Sequence, residues 1–391
     1  MSKKIAILGS TGSIGTNSLR VIEALGPKFE IVALTAHSNT EMLAGQVRQF
    51  KPKYVGLTNP QKADDLRDRL GDYDGEILVG PASLVEIAGL DETDTVITAV
   101  VGAAGLGAVL EAAKKGKTLA IANKEPLVIA GQLLTATAKA NGAIILPIDS
   151  EHSAVFQALQ AGRTDEVSKI ILTASGGPFR NATAGQMENA TVEEALAHPT
   201  WEMGRKVTVD SATMMNKALE VIEARWLFDV STDKIDVLVH PESIVHSMVE
   251  FVDGSVVAML GQPDMCVPIQ YALTYPRRVK GIGERLKLGR LGKLTFEKPN
   301  RSIFRALDLG FAVAAKGNSA PVVFNAANEV AVQEFLAGRI RFGMIVRAIE
   351  HCVNKHEVRS SVSLEELLAV DTWARGEARR YLKREVEQIV R

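Results

Sequence analysis

With only two cysteines among 391 residues, Cys266 and Cys352, far apart and outside any metal or redox spacing, the chain has no disulfide framework. That usage fits a reducing compartment, and we expect a cytoplasmic protein. Charge of one sign is also lacking. The formal net charge is −1, so no global field draws the chain to nucleic acid or to an acidic membrane. Long apolar runs are missing too. The longest uncharged one, Thr95 to Leu110, is rich in Gly and Ala and shorter than the ~20 residues a membrane span needs. The N-terminus passes from Ser2-Lys3-Lys4 straight into an apolar run, so we expect no signal or transit peptide. What remains is ordinary globular composition, 46% hydrophobic and 23% charged, with length for two or three domains.

The first 150 residues alternate short apolar runs with helical patterns. Strands are expected at Ile5–Leu8, Ile31–Leu34, Tyr54–Leu57, Glu76–Val79, Thr95–Ala99, Thr118–Ile121 and Ala143–Leu146, with helices such as Pro126 to Ala140 between them. Repeated βα units of this length predict an α/β fold, a doubly wound (Rossmann-like) parallel sheet. Gly9-Ser10-Thr11-Gly12-Ser13-Ile14-Gly15 follows the first strand and opens a helix, the context in which glycines let a pyrophosphate approach backbone N–H groups. After the second strand, Thr35-Ala36-His37-Ser38-Asn39 holds no acid to take a ribose 2′-hydroxyl. That favours NADP over NAD, although these residues also suit a loop and helix cap. Lys124, between Asn123 and Glu125, stands at another strand's carboxyl edge, either as a cation for a ligand or as a solvated loop lysine.

Pro147-Ile148-Asp149-Ser150-Glu151-His152 closes the last of these strands. In extended chain Asp149 and Glu151 would point the same way, which suits Mg2+ or Mn2+ as well as it suits two solvated loop charges. Beyond the strand ending at Ala174, Ser175-Gly176-Gly177 is either an anion-binding nest or a plain turn. His198-Pro199-Thr200-Trp201-Glu202-Met203-Gly204 reads as a lid, or as a loop pinned by Trp201. From about Ala212 a helix is expected. It would set Asn216, Lys217 and Glu220 on one face and Met215, Leu219, Ile222 and Trp226 on the other. A cation, an amide and a carboxylate together suit a phosphorylated sugar beside a metal; the plain alternative is a surface ion pair. Strands around Val237–Val239, Ile244–Val252 and Ser255–Leu260, the last two joined by Asp253-Gly254, predict an antiparallel sheet extension usable as a dimer face. His240 and His246 read as structural, with no acid at ligand spacing. The stretch from Pro276 to Arg301 is basic and broken, with few aromatics and no repeat. It reads as an interdomain crossing, not a nucleic-acid site. From Ile303 the pattern is helical, with helices at about Ala320–Leu336 and Met344–Lys355 and a capping box from Ser363 to Glu366. Asn325, Asn328 and Glu329 are expected to make structural hydrogen bonds. We thus expect an NADPH-binding domain at 1–150, a central α/β catalytic and metal-binding domain at 151–275, a linker at 276–302 and a C-terminal helical domain at 303–391.

Taken jointly, Gly9–Gly15, Asn123–Glu125, Asp149–His152, Ser175–Phe179, His198–Lys206 and Val209–Glu220 make the chain resemble the 1-deoxy-D-xylulose 5-phosphate reductoisomerase family over its whole length. The resemblance implies NADPH- and divalent-metal-dependent rearrangement and reduction of a small phosphorylated sugar, 1-deoxy-D-xylulose 5-phosphate, to 2-C-methyl-D-erythritol 4-phosphate, in isoprenoid precursor synthesis. It implies Asp149, Glu151 and Glu220 as ligands for Mg2+ or Mn2+, with Co2+ also admissible. It implies Ser150, Glu151, Ser175, His198, Ser211, Asn216, Lys217 and Glu220 as substrate residues, Glu151 and Lys124 as catalytic residues, and Trp201 and Met203 on a closing flap. NADPH contacts are implied at Thr11, Gly12, Ser13, Ile14, Asn123, Glu125 and Gly204, with His37, Ser38 and Asn39 standing where relatives often carry Gly-Lys-Asn. Pro126 replaces a usual Ser and Ala174 a common Gly. A homodimer is expected. A semialdehyde dehydrogenase would need a thiolate nucleophile that neither cysteine offers, and a nucleotide-sensing protein would have no use for the acid cluster.

Overall fold

The short apolar runs of the first part pair side by side because their residues are buried on both faces: Ile5, Ala6, Ile7 and Leu8 are fully inaccessible, as helix-covered parallel strands require. The computed structural model describes residues 2–201, 203–360 and 363–390, so Glu202 of the expected lid lies outside it. The chain divides into two units. The first takes Met1–Pro126, Leu134–Ser153 and Asp264–Glu284, and the second Leu127–Leu133, Ala154–Pro263 and Arg285–Arg391.

In chain order the elements are β1 (Lys3–Leu8), α1 (Ser13–Leu25), β2 (Phe29–Ala36), α2 (Thr40–Phe50), β3 (Tyr54–Leu57), α3 (Ala63–Leu70), β4 (Glu76–Val79), α4 (Ser83–Gly89), β5 (Thr95–Thr98), α5 (Leu106–Lys114), β6 (Thr118–Ile121), α6 (Glu125–Asn141) and β7 (Ile144–Pro147). They continue with α7 (Ser150–Ala158), β8 (Val167–Ala174), α8 (Ala184–Glu188), α9 (Val192–Leu196), α10 (Arg205–Ala212), α11 (Met215–Leu227), β9 (Ile235–Val239), β10 (Val245–Phe251), β11 (Val256–Leu260) and α12 (Cys266–Thr274). The last are α13 (Arg305–Lys316), α14 (Ala320–Leu336), α15 (Met344–Lys355) and α16 (Leu364–Val390).

In the first unit, seven parallel strands run in the order β4-β3-β2-β1-β5-β6-β7. The order reverses direction between β1 and β5, the point at which doubly wound sheets open a ligand crevice. The expected α/β Rossmann-like sheet is therefore present. Far along the chain, α12 returns to pack on α1 in this unit. In the second unit, four strands run β11-β10-β8-β9, with β8 parallel to β9 and antiparallel to β10. The antiparallel addition forms here, through the Gly254 turn at φ 85°. α14 is buried almost all round, and α15 and α16 pack against it, which makes it the centre of a helical cluster. The Ser363 capping box forms as expected: Ser363 N–H donates to Glu366 and Glu366 N–H to the Ser363 hydroxyl, at 2.8 and 3.2 Å. Among the described residues no helix is long and apolar enough to cross a membrane.

Candidate active site

In the first unit the glycine loop is a crossing of backbones. Gly9, at φ 86°, passes Ala99 so closely that a Cβ would stand 2.6 Å from the Ala99 carbonyl oxygen, and a Cβ on Gly15 would stand 2.3 Å from that of Gly9. No other residue fits either place. Gly12 precedes α1 and no side chain caps that helix, so its first N–H groups, among them those of Ser13 and Ile14, are presented past an open glycine. Thr11 is half-buried beside them. At the end of β2, the Asn39 side-chain oxygen caps α2 by accepting from Met42 N–H at 3.1 Å. His37 Nδ1 lies 2.8 Å from the Thr58 hydroxyl, and Ser38 is exposed between them.

Following β6, Asn123 is buried at 8% exposure. Neither polar atom of its amide has a hydrogen-bond partner among the described residues. Such an amide is costly unless a bound group completes it, and a cofactor carrying both donors and acceptors, as NADPH does, fits that need. Glu125, also buried, opens α6 with Pro126 in its first turn.

β6 and β7 pair Ile121 with Pro147, which brings Lys124 and Asp149 out side by side at one sheet edge, where they form an ion pair. The extended Asp149–Glu151 arrangement expected from sequence is corrected here. Ser150 opens α7, and Asp149 precedes the helix with its Oδ1 accepting from Glu151 N–H at 3.2 Å and His152 N–H at 3.5 Å. An aspartate at this position satisfies the first N–H groups of the helix, which is why the strand does not continue. Burial alone would raise the Asp149 pKa. Lys124 and His152 outweigh it and hold the carboxyl well below its usual range. His152, fully buried with Nδ1 3.4 Å from Asp149, had no role in the sequence reading. Its place three residues after the Asp149 that caps α7 is the available signal. The Ser150 hydroxyl donates to the Glu151 carboxylate.

In the second unit, β8 ends in Ser175-Gly176-Gly177, both glycines at positive φ (85° and 64°). The Ser175 hydroxyl accepts from Gly177 N–H at 3.2 Å and lies 3.0 Å from His198 Nε2. His198 Nδ1 accepts from the backbone N–H groups of Thr200 and Trp201, at 3.2 and 2.9 Å. That nitrogen is therefore bare, Nε2 carries the hydrogen, and the ring donates to Ser175. Burial lowers the His198 pKa, consistent with this neutral form. Trp201 tilts against His246, with ring centroids 6.1 Å apart. Met203 is half-buried, and Gly204 precedes α10.

The helix expected from about Ala212 begins at Met215 instead, as α11, after a separate helix, α10, that ends at Ala212; Met214 between them turns left-handed at φ 61°. Thr213 makes the break, its hydroxyl donating back to Val209 and Asp210 carbonyls (3.2 and 3.1 Å) and accepting from Met215 N–H (3.3 Å). Ser211 thus stands in the last turn of α10, and Asn216, Lys217 and Glu220 share one face of α11. On that face Glu220 accepts from Asn216 Nδ2 at 2.6 Å and pairs with Lys217. The pair is no surface ion pair, since Lys217 is 3% and Glu220 0% exposed. Of the opposite stripe, Met215, Leu219 and Ile222 are fully buried and Trp226 is half-buried. His240 is structural as expected, stacked on Phe296, but an acid does stand nearby: Glu242 lies 3.1 Å from its Nδ1.

In the first unit Asp149 and Glu151 offer hard carboxylate oxygens of the kind that suits a divalent ion such as Mg2+, and in the second unit Glu220 is a buried carboxylate of the same chemistry.

Models of the 1-deoxy-D-xylulose 5-phosphate reductoisomerase family match residues 5–131, and models of its C-terminal domains match 145–228 and 260–377. The chain is 48% identical to the 1-deoxy-D-xylulose 5-phosphate reductoisomerase of Halothermothrix orenii, over 97% of this chain and 98% of that one. A solved reductoisomerase in complex with NADPH, fosmidomycin and magnesium is 42% identical with a TM-score of 0.93, covering 97% of this chain and 98% of that chain. The Zymomonas mobilis enzyme in complex with NADPH is 39% identical with a TM-score of 0.91, covering 98% and 99%.

Proposed function

The chain belongs to the 1-deoxy-D-xylulose 5-phosphate reductoisomerase family, and from that premise we propose how its residues divide the work. The reaction is the NADPH- and Mg2+-dependent conversion of 1-deoxy-D-xylulose 5-phosphate to 2-C-methyl-D-erythritol 4-phosphate. The observation that carries the reading is the buried Lys217–Glu220 pair, with half-buried Asn216 beside it on the same face. A cation and a carboxylate inside the protein on one helix suit a phosphorylated substrate beside a metal, not a solvated pair.

Asp149, Glu151 and Glu220 would hold the divalent ion, Mg2+ or equally Mn2+ or Co2+. Bound there, the ion supplies Lewis-acid polarisation of substrate oxygens, and NADPH supplies hydride. Ser175, Ser211, Asn216 and Lys217 receive the phosphate, with Lys217 as its charge partner. His198, by donating to Ser175, leaves that hydroxyl's own hydrogen for a phosphate oxygen. Ser150 contacts the sugar. The carbon skeleton breaks and rejoins by retro-aldol and aldol steps, which need a proton taken from a hydroxyl and later returned. Glu151 moves that proton, and Lys124 steadies developing negative oxygen. The segment carrying Trp201 and Met203 closes over the substrate and keeps water out. Thr11–Ile14, His37, Ser38, Asn39, Asn123, Glu125 and Gly204 would hold NADPH, with His37, Ser38 and Asn39 as the residues that would meet its 2′-phosphate. The functional division is 1–150 for the cofactor, 151–275 for chemistry, 276–302 as a crossing and 303–391 as a helical support, in a cytoplasmic homodimer.

An NADPH-oxidation assay with deoxyxylulose phosphate, with and without EDTA, tests the reading. Oxidation that requires the substrate and stops on chelation supports it. Absence of substrate-dependent oxidation in the presence of Mg2+ overturns it.

A further inference from the structure

Asn328 lies in the middle of α14, fully buried. Its Nδ2 donates to Asp210 Oδ1 at 2.9 Å, while its own Oδ1 has no hydrogen-bond partner among the described residues. An apolar side chain of the same size would fill this place without an orphaned oxygen. The amide is therefore explained by what it does for Asp210, not by the packing of α14.

Asp210 is 1% exposed and immediately precedes Ser211, in the last turn of α10. Its other oxygen pairs with Lys206 at 2.9 Å, one turn earlier on the same helix. A pair within one helix turns with that helix and fixes nothing about its rotation. The bond from Asn328 comes from a separate element and does fix it. α14 is itself held from another element, because Arg375 of α16 pairs with its Glu329 at 2.5 Å. The direction of Ser211 then follows from the orientation of Asp210. So does the corner through Thr213 and Met214 from which Asn216 and Lys217 project.

We propose that Asn328 is a positioning residue for the substrate-phosphate site, acting on Ser211 through Asp210. The inference rests on the reading of Ser211 as a phosphate ligand. Kinetics with deoxyxylulose phosphate at saturating NADPH and Mg2+ test it on the full chain, using Asn328→Leu, Ser211→Ala and the double variant. Asn328→Leu is expected to raise the KM for the sugar phosphate about 10-fold, with kcat and the NADPH KM within about 2-fold of wild type. In the Ser211→Ala background the same change is expected to add less than about 2-fold, because both act on one contact. A merely structural residue would lower the melting temperature and leave this KM alone. Should Asn328→Leu fail to fold, Asn328→Ser, polar but too short to reach Asp210, is expected to show the same split. An unchanged KM in either folded variant, while Ser211→Ala raises it, overturns the inference alone, as do effects that multiply in the double variant. An unchanged KM in Ser211→Ala overturns the reading beneath it.

Discussion

Gly177 and Ser211 touch without a side chain between them: a Cβ on Gly177 would stand 2.7 Å from the Ser211 carbonyl oxygen, at a residue whose φ is 64°. The loop after β8 and the end of α10 are thus wedged together, and the two serines proposed to hold phosphate are set by one contact. Gly177→Ala would meet both a left-handed backbone penalty of roughly 1–2 kcal/mol and the clash. We expect a KM for deoxyxylulose phosphate raised at least about 10-fold with the NADPH KM unchanged. Steady-state kinetics check this, and a wild-type KM would separate the two serines.

Asn123 gives a test at the cofactor. Its amide is buried and unpartnered among the described residues, so Asn123→Leu should hold or raise the melting temperature while weakening NADPH roughly 10-fold, the scale of one lost hydrogen bond. Titration of NADPH by fluorescence reads the affinity directly. Unaltered affinity would assign Asn123 to the scaffold.

The helical cluster has its own acid dependence. Glu377, 2% exposed, accepts from Lys355 (2.7 Å), His351 (2.9 Å) and Arg380 (2.7 Å). Burial pushes its pKa up, but these donors prevail and bring it from 4.5 down to about 2. A depressed carboxyl stabilises the fold fully above its unfolded value and loses that contribution as pH falls from 4.5 toward about 2. Lys355 and Arg380 are more than half exposed and rehydrate when released, so we expect Glu377→Gln to cost about 1–2 kcal/mol at pH 7. Melting curves from pH 7 to pH 3 should show the two proteins converging as acid is added. A constant difference would mean that the charge is not what matters.

Much of this was legible in the sequence. The strand–glycine–helix opening and every strand of the parallel sheet follow from short apolar runs and the punctuation between them. The Asn216–Lys217–Glu220 face follows from helical spacing. The break at Met214 does not, because Thr213-Met214-Met215 are residues a helix accepts and only the Thr213 hydroxyl bonds reveal the turn. The helical start at Asp149 is hidden, because the apolar strand before it suggests extended chain. Asp followed by Ser and Glu is nonetheless a helix start, and it prevailed. Tertiary partners such as Asp210 with Asn328 lie 118 positions apart and leave no local trace. The burial of Lys217 and Glu220 was equally silent, since the same spacing serves a surface pair.

The central claim is that Glu220 serves a divalent ion beside the phosphate site, and Glu220→Gln tests it most directly. Measured together, metal-dependent turnover of deoxyxylulose phosphate should fall by more than about 100-fold while NADPH affinity stays at the wild-type value. Wild-type turnover in that variant, with the same metal requirement, would contradict the account.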